Sequence, residues 1–166
     1  MTEAQRLVDL IPRLRRYARA LVGDRATADD LVQDTLERAW TKLHLYRRGT
    51  DLRAWLFTVM HNVHVNRVRA SRLTDALDDD MPELAQRAAQ GDALLVRDLE
   101  RGIARLPAEQ RAVLLLVTLE EMSYDEVART LGIPIGTVMS RLSRARDKLR
   151  SMMLGQPAVA KLKVVK

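Results

Sequence analysis

The sequence predicts an all-α protein: two small helical domains joined by an acidic linker. Three observations carry that expectation. Aromatic residues make up only 4% of the 166, with 7 Gly and 5 Pro, while Leu, Ala and Arg abound, a bias toward helix formers rather than strand formers. Apolar residues recur at steps of three and four over long segments on both sides of one break. The break itself, TDALDDDMPELAQRAAQGD at 74–92, holds six acidic residues against one Arg, as suits a solvated tether. The domains are accordingly placed at 1–72 and 93–152, with the linker at 73–92 and a flexible tail at 153–166.

The first helix follows from Leu7, Leu10, Ile11, Leu14, Ala18 and Leu21, with Gly23 as its C-terminal stop. In the second, Thr27 is the expected cap and Asp29 and Asp30 lie in the first turn. Ala28, Leu31, Val32, Thr35, Leu36, Ala39, Trp40 and Leu43 form one buried stripe. A basic loop, HLYRRGTD, leads to a third helix with Leu52, Trp55, Leu56, Val59, Met60 and Val63 on its inner face. Both Trp residues are assigned to the core, because stripe positions outweigh a role as stacking platforms.

Beyond the linker the pattern resumes with Leu95, Leu99, Ile103 and Leu106, and Pro107 opens the helix AEQRAVLLLVTLEEM. SYDE at 123–126 has the form of a capping box, so a short helix is expected over Tyr124 to Leu131. Gly132 and Pro134 then supply a turn before the last helix, and a short helix, a tight turn and a second helix make a helix-turn-helix.

The formal net charge of +6 favours a polyanionic or acidic partner without choosing between them. There is no cysteine, hence no disulfide and no cysteine-ligated zinc. No apolar run reaches the roughly 18 residues of a membrane span, and the N-terminus lacks the pattern of a secretory signal, so a cytoplasmic protein is expected. His61 and His64 are three apart but no third ligand accompanies them, and Asp78, Asp79 and Asp80 lack calcium-loop spacing. Neither a metal nor another cofactor is expected. Phosphate-loop, dinucleotide and nucleophile-elbow motifs are absent, which points away from an enzyme.

The segment GIPIGTVMSRLSRARDKLR at 132–150 concentrates five cations in its last ten positions. Ile135, Val138, Leu142, Ala145 and Leu149 would pack inward, leaving Thr137, Ser140, Arg141, Arg144 and Lys148 outward. Hydroxyls and Arg forks beside phosphate-seeking cations are what a helix in the major groove needs. A solvated basic face is the plain alternative, and the preceding turn argues against it. A second basic cluster, Arg47, Arg48 and Arg53 with Asn62, Asn66, Arg67, Arg69 and Arg72, is suited to nucleic acid without being diagnostic.

ADDLVQDTLERAW (28–40), LRAWLFTVMHNVHVNRVRA (52–70) and LPAEQRAVLLLVTLEEMSYDEVARTLGIPIGTVMSRLSRARDKLR (106–150) together resemble a bacterial extracytoplasmic-function (ECF) sigma factor, in order and separation. LIPRLRRYARAL and GTDLRAWLFTVMHN are also similar to the general-stress subgroup of alphaproteobacterial sigma factors. The resemblance implies a dissociable subunit that gives core RNA polymerase its promoter specificity. The first domain would be sigma region 2, a bundle of three or four helices, docking on the polymerase clamp helices through Asp29, Asp30, Leu31, Gln33, Asp34 and Glu37. Its loop Arg47, Arg48, Gly49, Thr50 and Asp51 and the residues Asn62, Asn66, Arg67 and Arg69 match the parts that melt and hold the minus-10 element. The second would be region 4, with Thr137, Ser140, Arg141, Arg144 and Lys148 on the minus-35 duplex and a contact with the polymerase flap. The acidic linker would run toward the RNA exit path, and an anti-sigma factor would hold the protein inactive. A sigma-like decoy that captures an anti-sigma factor is the competing class, and the retained basic helices disfavour it.

Overall fold

The computed structural model describes residues 1–74 and 92–155. The acidic linker expected at 73–92, with Asp78, Asp79 and Asp80, lies almost wholly outside the described residues, as does most of the tail. The described residues form helices α1 (Glu3–Val22), α2 (Arg25–Lys42), α3 (Leu52–Thr74), α4 (Asp92–Arg105), α5 (Ala108–Thr118), α6 (Tyr124–Leu131) and α7 (Ile135–Met153), with a 3-10 turn at Leu43–Leu45. No strand occurs among them, and none of the helices is long and apolar enough to cross a membrane. One compact unit holds α1 to α3, and a second holds α4, α5, Tyr124–Ala128 of α6, and α7.

Local chemistry sets the boundaries of the first unit. Thr2 caps α1 by accepting from the Gln5 amide at 3.2 Å. Gly23 closes it in the left-handed region at φ +76, its N–H donating to the Arg19 carbonyl at 2.9 Å, a conformation glycine adopts without steric cost. The expected Thr27 cap is replaced by Asp24, one turn earlier. The Asp24 carboxylate accepts from the Thr27 hydroxyl at 2.7 Å and its amide at 3.0 Å, so Thr27 is the partner of the cap and α2 starts at Arg25. The Thr27 hydroxyl first, and then its amide, hold the Asp24 carboxyl below the ordinary carboxylate range.

Helix α2 packs against both α1 and α3, and Ala28 and Ala39, both buried, allow close approach. Leu14, Leu31, Leu56, Phe57 and Met60 fill the centre. Each such side chain contributes about 1.5–3 kcal/mol of burial. Tyr17 meets Phe57 edge to face, with ring centroids 5.2 Å apart. Trp40 departs from expectation: it is 65% exposed. It follows buried Ala39 by one residue, and one helical step turns about 100°, enough to carry it off the inner stripe.

In the second unit α7 packs on α4 and α5. Gly102 permits the approach of α4, since a Cβ there would meet Leu149 Cδ1 at 2.7 Å. Val113, Leu116, Val127 and Leu142 are fully buried. The capping box is present: the Ser123 hydroxyl accepts from the Glu126 amide at 3.2 Å, and Glu126 accepts from the Ser123 amide at 2.9 Å. Helix α5 ends at Thr118 rather than running to Met122. Leu95 and Leu99, expected inside, are exposed, as is Ile135 in the first turn of α7.

Arg111 anchors the α4–α5 corner. Its guanidinium donates to the carbonyls of Ile103 (2.9 Å), Ala104 (2.6 Å) and Leu106 (2.8 Å). The Ile103 and Ala104 carbonyls close the last turn of α4, at the negative end of its dipole, where Ile103 also accepts from the Leu106 amide at 3.1 Å; Leu106 lies just past the helix. Burial pushes the Arg111 pKa down from its ordinary value.

Candidate nucleic-acid interface

Helix α7 enters from the turn after α6. Gly132 takes φ +66, the Ile133 amide donates to the Ala128 carbonyl at 3.0 Å, and Pro134 is the N-cap. Val138, Leu142 and Ala145 face inward. Ser140 and Arg144 stand on the exposed crest, and Arg144 has no ion pair among the described residues. Thr137, Arg141 and Lys148 are half-buried along one shoulder, being separated by steps of four and seven residues that return to one line of a helix. Arg141 Nη2 lies 3.6 Å from Glu109 Oε2 in the first turn of α5. The crest also exposes Gly136, Met139 and Ser143, which pattern-reading passed over.

The loop before α3 is a built turn. Thr50 donates through its hydroxyl (2.7 Å) and amide (3.2 Å) to the Arg47 carbonyl, Gly49 sits at φ +90, and the Tyr46 hydroxyl donates to the Thr50 carbonyl at 2.5 Å. Tyr46 in turn packs on Trp55, centroids 5.5 Å apart, so Trp55 is half-buried in an aromatic pair. Asp51 accepts from the amides of Arg53 (3.0 Å) and Ala54 (3.3 Å), which makes it the cap of α3. Arg47 is exposed, and Arg48 Nε pairs with Glu3 Oε1 at 3.0 Å.

On α3, Asn62, Asn66 and Arg69 are exposed and share one face with Trp55 and Thr58. Arg67 does not join them. It lies about 100° from Asn66 and about 160° from Arg69 around the helix, and points to α2. There Arg67 Nη2 donates to the Asp30 carbonyl at 3.1 Å and pairs with the Asp34 carboxylate. The two residues assigned from sequence to different partners therefore hold each other.

The outer face of α2 carries Asp29, Asp30, Gln33 and Glu37, all exposed, and ends in Trp40. Leu31 leaves this set: at 1% exposure it is a core residue, on the side of α2 opposite the acids. Among the described residues no group of three His, Asp or Glu side chains could hold a metal ion.

Comparison with known proteins matches both units. Residues 7–61 fit the family model of the Sigma2 domain of PhyR, and residues 97–149 fit that of sigma-70 region 4. The ECF RNA polymerase sigma factor EcfG of Rhodopseudomonas palustris is 35% identical over 145 residues, 86% of this chain and 80% of the relative. The sigma factor RpoE of Bartonella quintana, solved in complex with the anti-sigma factor NepR, superposes with a TM-score of 0.80 at 34% identity, over 95% of this chain and 98% of that one. The anti-anti-sigma factor PhyR of the same organism shares the fold at a TM-score of 0.58 and 18% identity, over 89% of this chain and 50% of its own. Two helical units, one of region 2 type and one of region 4 type, define a sigma-type transcription factor. The chain belongs to the ECF RNA polymerase sigma factors.

Proposed function

We propose that the protein binds core RNA polymerase and directs promoter-specific initiation, with an anti-sigma factor controlling its availability. The exposed acids of α2, Asp29, Asp30 and Glu37, with Gln33 among them, dock on the clamp helices, with Trp40 as an apolar anchor of the kind that dominates interfaces. Asn62, Asn66 and Arg69, with Arg47 and Arg48 in the tight loop, hold the non-template strand of the opened minus-10 element. Thr50 and Asp51 shape that loop and cap α3. Helix α7 lies in the major groove of the minus-35 duplex, with Ser140 and Arg144 on the crest and Thr137, Arg141 and Lys148 along the shoulder, while the same unit touches the polymerase flap. The protein performs no covalent chemistry and needs no cofactor in this role.

The observation that carries the reading is the pairing, in one chain of a sigma family, of a hydroxyl- and Arg-bearing α7 in one unit with an Asn- and Arg-bearing α3 face in the other. Anti-sigma control draws support from the relative solved with NepR. The test is the Arg141→Ala, Arg144→Ala double variant in holoenzyme. Promoter-specific transcription should collapse while core binding persists; unchanged transcription would remove α7 from the account. The fold shared with an anti-anti-sigma factor keeps a second reading, capture of an anti-sigma factor without transcription, which predicts no promoter selection by any holoenzyme.

A further inference from the structure

We propose that Glu109 is a specificity-determining residue, which holds the Arg141 guanidinium for one base of the duplex and keeps it from serving as an indiscriminate phosphate contact. The inference rests on the proposed reading of duplex DNA by α7.

Two cations of α7 stand in different surroundings. Arg144 is exposed and free of ion pairs among the described residues. The Arg141 side chain is only 25% exposed and its Nη2 lies 3.6 Å from Glu109 Oε2, whose own side chain is 74% exposed. A pair this open to solvent adds little to folding stability, so its consequence is positional. A guanidinium presents five N–H donors in a rigid planar fork. The Glu109 carboxylate, in ion-pair rather than hydrogen-bond range, draws one corner of the fork toward α5 and biases the remaining donors outward, as a two-pronged bond to guanine O6 and N7 requires. A long side chain that must be ordered on binding weakens an interface roughly two- to twelvefold. Glu109 orders Arg141 beforehand.

Charge adds a repulsive element. While Arg141 stays on its base, it neutralises Glu109. If the base is wrong and Arg141 swings to a phosphate, Glu109 is left as an unpaired anion beside a polyanion. Discrimination thus has both an attractive and a repulsive element, and specificity commonly needs both. Arg144 has no such partner, and the Ser140 hydroxyl donates only to the Thr137 carbonyl of its own helix at 3.2 Å, so both serve contact without this selectivity.

The experiment uses holoenzyme assembled on core polymerase with the wild-type chain, Glu109→Gln, Arg141→Ala and the double variant. Each is presented with promoter duplexes randomised across the minus-35 element, and with unrelated duplex over a salt series. Glu109→Gln and Arg141→Ala should lose preference at the same single base position, by about two- to fivefold for Glu109→Gln, and retain it elsewhere. The double variant should lose no more than Arg141→Ala alone. Glu109→Gln should also bind unrelated duplex more tightly, with a salt slope steeper by up to about one. Unchanged melting of Glu109→Gln separates these effects from folding. Preference retained by Glu109→Gln at the Arg141 position, or additive losses in the double variant, overturns the proposal. If the wild-type holoenzyme selects no minus-35 sequence, α7 is not the reader, and both the parent reading and this one fall.

Discussion

Arg67→Met separates two roles that the sequence alone leaves merged, because it removes the guanidinium and keeps an aliphatic stem. With side chains 33% and 49% exposed, the Arg67–Asp34 pair belongs to the surface class, worth about 0.2–1 kcal/mol. The bond to the Asp30 carbonyl at 3.1 Å is charge-assisted, a class worth about 1.5–3 kcal/mol when shielded, and solvent at this exposure reduces it to roughly 1 kcal/mol. The sum, about 1–2 kcal/mol, lowers the melting temperature of a small domain by roughly 4–16 °C. Both tryptophans, Trp40 and Trp55, lie in the first unit, so tryptophan fluorescence reports its unfolding. Exchanging the charges, Asp34→Arg with Arg67→Asp, should restore only the ion pair's share, about 0.2–1 kcal/mol, because a carboxylate cannot donate to the Asp30 carbonyl. Promoter binding by Arg67→Met holoenzyme should keep its salt slope, because each phosphate contact removed from a single strand lowers the slope by about 0.7. Unchanged melting together with a slope reduced by that amount would mean that Arg67 touches nucleic acid and that the bridge to α2 is incidental.

Trp40→Ala should weaken binding to core polymerase by about 2 kcal/mol, near thirtyfold, as for an interface anchor, with melting unchanged since the ring is exposed; equal affinity in a competition assay would refute the anchor. Arg111→Met removes the guanidinium from three carbonyls at the α4–α5 corner, leaving Ile103 its bond from the Leu106 amide, and should cost about 2–4 kcal/mol, with faster amide hydrogen exchange confined to the second unit. Asp24 has its pKa lowered in the folded state, so its contribution is complete above the unfolded-state value of about 3.9 and drains away as pH falls through the folded-state value. Asp24→Asn still caps but does not titrate there, so the stability difference between wild type and variant should shrink as pH falls from about 5 through the folded-state value; a constant difference would contradict the assigned cause.

Much of the fold was legible because it is written locally. Gly23, the Ser123–Glu126 box and the Gly132 turn each act within four residues of themselves, and periodicity identified Leu7, Leu14, Leu56, Met60, Val138 and Leu142 as inward positions that are all buried. Sequence pattern and structure part where two local solutions compete or where tertiary placement decides. Thr27 and Asp24 are both good caps, and Asp24 can accept from the Thr27 hydroxyl and amide together. Periodicity places Trp40 on the inner stripe of α2, although its angle from Ala39 puts it outside. Leu31 enters the docking set through the family resemblance, although its own position on the stripe makes it core. The Arg67 bridge spans 37 and 33 residues, and nothing within α2 or α3 alone announces it. Arg111 meets carbonyls across a helix corner, and Glu109 becomes informative only once α5 is seen beside α7.

The central claim is that this chain selects promoters for RNA polymerase. It is tested most directly by transcription in vitro with sigma-free core polymerase on genomic DNA of the source organism, with RNA starts mapped by sequencing. The account predicts starts that appear only when the protein is added and that share two upstream elements, one lost with Arg141→Ala, Arg144→Ala and the other weakened by substitution of Asn62 and Asn66. Core binding without any new start would contradict it and leave capture of an anti-sigma factor as the better reading.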